Sequence, residues 1–385
     1  MSKLKTLVVF GTRPEAIKMA PLVKELKKNR RIECGVCVTA QHREMLDMVL
    51  NLFDIKPDFD FNIMTPSQTL NSIASKVISH MQDAVTEFKP DLVLVHGDTT
   101  TAVTAALASF YAGARVGHVE AGLRSFDKYS PYPEELNRLV ISDIADIHFA
   151  ATHANKENLN RENIHDNIYI TGNTVIDALK YTIHPNYKYK SPDVQKAVER
   201  ARENNMRIVL MTAHRRENLG QPFENIFNAV HRAADEFKDV LFLYPVHPNP
   251  RVKNTAKRIL GNVENVVLTS PIDTDDMHNI MNDSFLVLTD SGGLQEEAPA
   301  LGKPVLVLRH ETERPEAVTA GTVKISGVEE EDVYNDLVTL FTDSAVYDKM
   351  AKAVNPYGDG HASERIVQAI LHKFADQPAP KEFGI

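Results

Sequence analysis

The residues best equipped for chemistry gather in short runs that directly follow apolar stretches. Asp98 and Glu120 stand just beyond such stretches, where burial would raise a carboxyl pKa and suit it to general acid or base work. Asp98 could equally cap the helix that starts near Thr99. Glu134 comes just inside a helix opened by Pro133, and Arg138, four residues on, falls on the same face; an ordinary surface ion pair is the plain alternative. Arg13 lies in the turn before a helix whose first position suits Pro14, so its guanidinium could meet a phosphate together with the helix dipole. Lys18 follows one turn later. His214, ahead of Arg215 and Arg216, could donate to a phosphate or relay a proton near neutral pH. The turn Ser291-Gly292-Gly293 opens a helix whose bare amides make an anion site fit for a diphosphate. Glu297, in that helix, could accept hydrogen bonds from a ribose.

Other chemistries find no support. G-x-G-x-x-G is missing after every expected strand, as is G-x-x-x-x-G-K-[ST], so neither a dehydrogenase fingerprint nor a P-loop is present. No H-E-x-x-H spacing occurs, and no protein-held metal or other cofactor is expected. Cys34 and Cys37 form C-x-x-C inside an apparent strand, and residues three apart on a strand point to opposite faces, which prevents a shared metal or a disulfide. His96 and His118 read as supports for the neighbouring acids. With 43 Lys+Arg against 52 Asp+Glu the formal charge is −9, and no local basic cluster offers a nucleic-acid face. No apolar run approaches the roughly 18 residues that span a bilayer. Residues 1–10 read as the first strand of a cytoplasmic protein rather than a signal segment.

The elements that must position these groups repeat a simple rhythm. Apolar runs at 7–10, 32–38, 91–95, 115–119 and 168–171 are each followed by helix-like sequence, and a second series at 207–212, 240–245, 265–269, 285–289 and 304–308 does the same. Such alternation predicts parallel sheets covered by helices on both faces. The fold class is therefore α/β, with two doubly wound Rossmann-like domains whose strand ends face one cleft. The expected division is 1–172 and 173–361, with a hinge where the periodicity lapses between 172 and 205. An amphipathic helix at 362–376 could pack on either domain, and residues 377–385 read as a loose tail.

Several ordered blocks resemble one family. Gly11 to Lys18, Val95 to Thr99, Gly117 to Arg124, Pro133 to Arg138, Thr171 to Thr174, His214 to Asn218, Asp290 to Pro299, Thr312 to Glu316 and Asn355 to Gly360 are similar to the bacterial non-hydrolysing UDP-N-acetylglucosamine 2-epimerases. The resemblance implies a glycosyltransferase-B-like fold with the last helix, 362–376, packing back on the first domain, a homodimer, and interconversion of UDP-N-acetylglucosamine and UDP-N-acetylmannosamine for surface polysaccharide without NAD. It implies that Asp98, Glu120 and Glu134 are the acid/base carboxylates and that His214 joins them at the catalytic site. Arg13, Lys18, Arg138 and Arg314 then hold substrate or diphosphate, while Ser291, Gly292 and Glu297 hold UDP. A second UDP-N-acetylglucosamine could act as an activator near Gln41 and His247, although Glu44 and Ser67 depart there from some relatives, as Met277 does beneath the uracil. A glycosyltransferase on the same fold would need an acceptor site that no motif supplies. A mere nucleotide-sugar sensor would have little use for so many acids beside phosphate binders.

Overall fold

The computed structural model describes residues 3–41, 43–65 and 67–384. The chain divides into two compact units, one of residues up to Tyr181 together with those from Tyr357 onward, the other Thr182–Pro356. The first carries strands β1 Leu4–Phe10, β2 Ile32–Val38, β3 Phe59–Asp60, β4 Leu92–His96, β5 Arg115–Ala121, β6 Ile147–Ala150 and β7 Ile168–Ile170. The second carries β8 Arg207–Thr212, β9 Val240–Pro245, β10 Val266–Thr269, β11 Leu286–Thr289, β12 Val305–Val307 and β13 Val323–Ile325. All pairings within each sheet are parallel. The orders are β3-β2-β1-β4-β5-β6-β7 and β10-β9-β8-β11-β12-β13. Each sheet follows the Rossmann order, and each reverses its winding at one place, between β1 and β4 in the first and between β8 and β11 in the second. Ligands of open α/β sheets bind outside the strand ends at such a reversal.

Burial on both faces explains the continuous apolar strands. In β1, Val8 and Phe10 join the core under the helix Arg13–Lys28, whereas Leu7 and Val9 join the core under the helices Leu70–Phe88 and Thr100–Tyr111. Cys34 packs on the first of these cores and Cys37 in the second, on opposite faces as the strand reading requires. Burial pushes the Cys34 thiol up to about 12.

Three strands escape the sequence reading: β3, β6 and β13, with two, four and three residues. Such runs are too short to show a period, and His148 interrupts the apolar pattern of β6. The supposed lapse between 172 and 205 holds two helices, Thr174–Thr182 and Pro192–Glu203. The division falls at 181/182 rather than 172/173 because Ala178 and Tyr181 pack into the first unit's core. The chain re-enters that unit at Tyr357, whose carbonyl accepts the Asn173 amide at 2.6 Å. Asp177 then receives the Ala362 and Ser363 amides at 3.1 and 2.8 Å. These bonds start the helix Ala362–Ala375, which buries Ile366, Ala369 and Ile370 against the core shared with Arg13–Lys28. The tail beyond it is not loose. The Phe383 amide donates to the Ile170 carbonyl at 2.8 Å, and Glu382 pairs with Lys156 at 3.3 Å.

Candidate active site

At the reversal point of the first sheet, the helix Arg13–Lys28 begins immediately after β1 with Thr12 as N-cap. Arg13 takes the first helical position and Pro14 the second, one residue earlier than the Pro14 start expected from sequence. Glu15 is 2 % exposed and receives the Gly11 amide at 3.1 Å, the Thr12 amide at 2.9 Å and the Thr12 hydroxyl at 2.7 Å. It also receives the Thr99 hydroxyl, from the loop after β4, at 2.8 Å. Burial raises the Glu15 carboxyl, while these hydrogen bonds oppose the rise. Glu15 therefore occupies the Gly11 and Thr12 amides just ahead of the helix, and Pro14 in the first turn has no N–H to offer a phosphate. Arg13 is left half-buried and, among the described residues, without an ion-pair partner.

Glu120 occupies a bulge in β5 and holds the left-handed backbone φ of 63°, uncommon for a residue with a Cβ. That turn aims its carboxylate at Lys18, with which it forms a close ion pair, and at Asn173, whose side-chain amide donates at 3.0 Å. Its second oxygen lies 3.8 Å from His96 Nε2. Burial holds His96 down to about 4, so the ring beside Glu120 is neutral at physiological pH.

Asp98 follows β4. Thr99, not Asp98, caps the next helix, accepting the Ala102 amide at 3.0 Å, and this leaves the Asp98 carboxylate for other partners. Arg138 Nη2 reaches it at 2.5 Å, and Asn137 donates to the Asp98 carbonyl at 2.7 Å. Burial raises the Asp98 carboxyl above its ordinary value, against the pull of Arg138; the charge of Glu120 adds to the rise and Lys18 opposes it. Glu134 begins the helix Glu134–Ile144. The Glu134–Arg138 pair expected from their spacing does not form: Arg138 turns to Glu135 at 2.9 Å and to Asp98, and the buried Oε2 of Glu134 has no hydrogen-bond partner among the described residues. Ion-pair partners on a helix face are chosen by tertiary geometry as much as by spacing, and a guanidinium fork can take two acids at once.

The second sheet presents a different arrangement at its reversal. His214 and Arg215, after β8, donate their amides to Asp290 at 2.7 and 2.8 Å, and Asn218 adds a side-chain bond at 3.3 Å. The His214 Nδ1 lies 3.1 Å from Asp290 Oδ1. Burial would lift the fully enclosed Asp290 carboxyl, yet His214 and the two amides hold it below its ordinary value. The exposed His214 ring stacks on His247 with centroids 5.8 Å apart. After β11, the Ser291 amide donates to the Thr289 hydroxyl at 2.9 Å, and Ser291 lends no side-chain cap to the helix Gly292–Ala300, so among the described residues no side chain caps the helix start at Gly292. Arg215 and Glu313 border Gly292: a Cβ there would sit 3.9 Å from Arg215 Nη2 and 3.7 Å from Glu313 Oε2. Glu297 lies 3.5 Å from His278 Nε2, while Thr182 shares a hydrogen bond with His278 Nδ1 at 2.8 Å. Arg314 forms a close ion pair with buried Glu296. Gln41, in the first unit, accepts Gln68 at its backbone oxygen at 3.1 Å.

The residues that sequence reasoning passed over are mostly supports. Glu15 was legible as a T-x-x-E capping box. Glu135, Asn173, His278 and Asp290 carry no spacing signal; each serves a partner distant in sequence.

A family model for UDP-N-acetylglucosamine 2-epimerase matches residues 24–371 of the chain. The chain belongs to that family. The enzyme is 54 % identical over 375 residues to the Bacillus subtilis UDP-N-acetylglucosamine 2-epimerase, covering 97 % of each chain. The Neisseria meningitidis UDP-GlcNAc 2-epimerase solved with bound UDP-GlcNAc superposes with a TM-score of 0.84 at 49 % identity, over 96 % of this chain and 100 % of that one. An S. aureus MnaA structure solved with UDP gives 0.87 at 48 % identity, over 99 % of this chain and 100 % of that one. Among the described residues, no helix of the enzyme is long and apolar enough to cross a membrane.

Proposed function

We propose that the enzyme interconverts UDP-N-acetylglucosamine and UDP-N-acetylmannosamine by eliminating UDP to 2-acetamidoglucal and adding it back. The C2 hydrogen of an N-acetylhexosamine is not beside a carbonyl carbon, so direct abstraction by a carboxylate would be very slow. Breaking the C1–O bond to the diphosphate first, with the electron pair leaving on UDP, makes an oxocarbenium-like centre that acidifies C2. A carboxylate then takes the C2 proton as the C1–C2 double bond forms. A proton delivered to the other face of C2, with return of the UDP oxygen to C1, completes the epimer and restores the enzyme.

The observation that carries this reading is the set of acids at the ends of β4 and β5 and at the start of the helix Glu134–Ile144 in the first unit. Asp98 is raised by burial, Glu120 is bonded to Lys18, and Glu134 has one buried oxygen without a partner. We assign Asp98, Glu120 and Glu134 to proton transfer at C2 because one proton leaves a face and another arrives on the opposite one. Arg13, Lys18 and Arg138 supply positive charge for the substrate. The UDP falls to the second unit in this reading. The uncapped helix start at Gly292 suits its diphosphate, with the Ser291 hydroxyl beside it, whereas the first unit fills the Gly11 and Thr12 amides with Glu15 and has Pro14 in its first turn. Glu297 takes the ribose, Arg314 adds charge, and His214 protonates or hydrogen-bonds the departing phosphate. Homodimerisation, a cytoplasmic location, supply of surface polysaccharide, and activation by a second UDP-N-acetylglucosamine through Gln41 and His247 accompany the proposal on the family resemblance. Hyperbolic kinetics without a lag from UDP-N-acetylmannosamine would remove the activator.

Incubation with UDP-N-acetylglucosamine alone, followed by separation of the nucleotide sugars, tests the reading. UDP-N-acetylmannosamine without free N-acetylmannosamine is expected. Release of the free sugar would mark a hydrolysing enzyme, and an unchanged substrate would refute the assignment.

A further inference from the structure

Glu135 has no part in the proton transfers proposed above, yet it is the most enclosed carboxylate of its neighbourhood, 1 % exposed. One oxygen receives two consecutive amides, Ser125 at 3.0 Å and Phe126 at 2.9 Å. The other receives Arg138 Nη1 at 2.9 Å. The same guanidinium passes its Nη2 to Asp98 at 2.5 Å. A single carboxylate thus anchors the segment between β5 and the helix Glu134–Ile144 and also sets the pose of the cation that grips Asp98. The anchored segment displays Phe126, Tyr129 and Tyr132, each more than 60 % exposed, and runs directly into Glu134. Asn137, from the same helix turn, holds the Asp98 carbonyl, so the backbone at Asp98 is fixed independently of Glu135.

We propose that Glu135 is a positioning residue for the epimerisation: it aims Arg138 at Asp98, shares the guanidinium charge with it, and fixes the approach of the aromatic segment to Glu134. The inference rests on the assignment of Asp98 to proton transfer. The charged groups acting on Asp98 are Arg138 from the helix Glu134–Ile144, Lys18 from the helix Arg13–Lys28, and Glu120 from β5; Glu135 reaches Asp98 through the shared guanidinium, and the neutral His96 lies beside Glu120. Burial pushes the Glu135 carboxyl upward, but its hydrogen bonds from Ser125, Arg138 and Phe126 hold it below the ordinary value, so it is the charged form that works. Removing that charge leaves Arg138 attending Asp98 alone. The Asp98 carboxylate is then better stabilised, its pKa falls, and the acid limb of the rate profile moves to lower pH.

Glu135→Gln keeps an acceptor for the two amides and deletes the charge. Its kcat should fall by about 10- to 100-fold with KM changed by less than about 3-fold, since misaim of one group by an ångström costs about that much. The acid limb should move down by on the order of half a pH unit or more. Glu135→Asp, which retains the charge, should return the limb toward the wild-type position even where its rate stays low. A Glu135→Gln enzyme with a wild-type limb and a kcat within 2-fold overturns the inference, and so does a rate loss without any movement of the limb. If Glu135→Gln does not fold, Glu135→Asp decides: a limb displaced as far as on full removal of Glu120 or Lys18 charge contradicts the shared-guanidinium account, whereas a near wild-type limb supports it. A wild-type enzyme that forms no epimer would instead overturn the parent reading.

Discussion

Asp290 and His214 show how one enclosed carboxylate can prepare one exposed base. Two amides and an asparagine fix Asp290, and its remaining oxygen sits 3.1 Å from His214 Nδ1. A carboxylate there selects the tautomer with Nδ1 protonated and leaves Nε2 for the phosphate contact proposed above. In Asp290→Asn an oxygen can still serve the amides, but an NH2 would face Nδ1 and invert that tautomer. The expected result is a kcat lower by on the order of 100-fold, with UDP affinity by calorimetry changed by less than 10-fold. A kcat within 3-fold of wild type would show that Asp290 only braces the loop. At this scale the sequence discloses residue type better than partnership. Asp98, Glu120 and His214 stand out because each follows an apolar run. That Arg138 would bridge Asp98 and Glu135 instead of meeting Glu134 depends on where β4 ends relative to a helix nearly forty residues later, and spacing along the chain carries no trace of it.

At the scale of elements, strand ends and helix starts are brought together by close backbone approaches. Gly122, just past β5, holds φ 87°, and a Cβ there would fall 2.2 Å from the Asn155 carbonyl oxygen. Gly122→Ala meets both a disfavoured backbone region and rigid backbone, so it should cost about 3 kcal/mol or more in denaturant unfolding. A cost below about 1 kcal/mol would show that the loop relocates freely. Long strands buried on both faces were legible: β2, β8 and β9 begin and end where the apolar runs do. The bulge that turns Glu120 was not. The apolar run was read as ending at Val119 with Glu120 beyond it, whereas β5 continues to Ala121, and only the register shift against β6 between Val119 and Ala121 reveals the extra residue. Likewise, the sequence offered the start of Arg13–Lys28 to a phosphate through Arg13 and the helix dipole, and only the structure shows Glu15 filling the Gly11 and Thr12 amides ahead of it.

Over the whole molecule, the same strand order serves two units that differ in what they bury. The first encloses His96, His118 and His148, and burial holds them down to about 4, 3 and 4. His118 is wholly enclosed, with its Nε2 2.8 Å from the Gly97 carbonyl. A histidine whose folded pKa is depressed lends stability above its unfolded pKa and loses it as pH falls toward the folded value. For His118 that window runs from 6.5 down to about 3. Wild type should therefore lose up to about 1.4 kcal/mol per pH unit more than His118→Gln, which can keep the bond to Gly97 without the titration. Denaturant midpoints at pH 6.5 and 4.5 measure this, and parallel losses in the two proteins would contradict it. The two-unit plan was legible from the restart of the strand rhythm near 207. The return of the chain at Tyr357 was not, because a C-terminal amphipathic helix fits either unit until Asp177 is seen to cap it.

The central claim is that the proton on C2, acidified once the bond from C1 to UDP has broken, is lost to a solvent-exchangeable carboxylate. Turnover of UDP-N-acetylglucosamine in deuterated water, followed by NMR at C2, tests it most directly. Deuterium at C2 of the UDP-N-acetylmannosamine formed is the predicted result; an epimer formed with its original C2 hydrogen would contradict the claim.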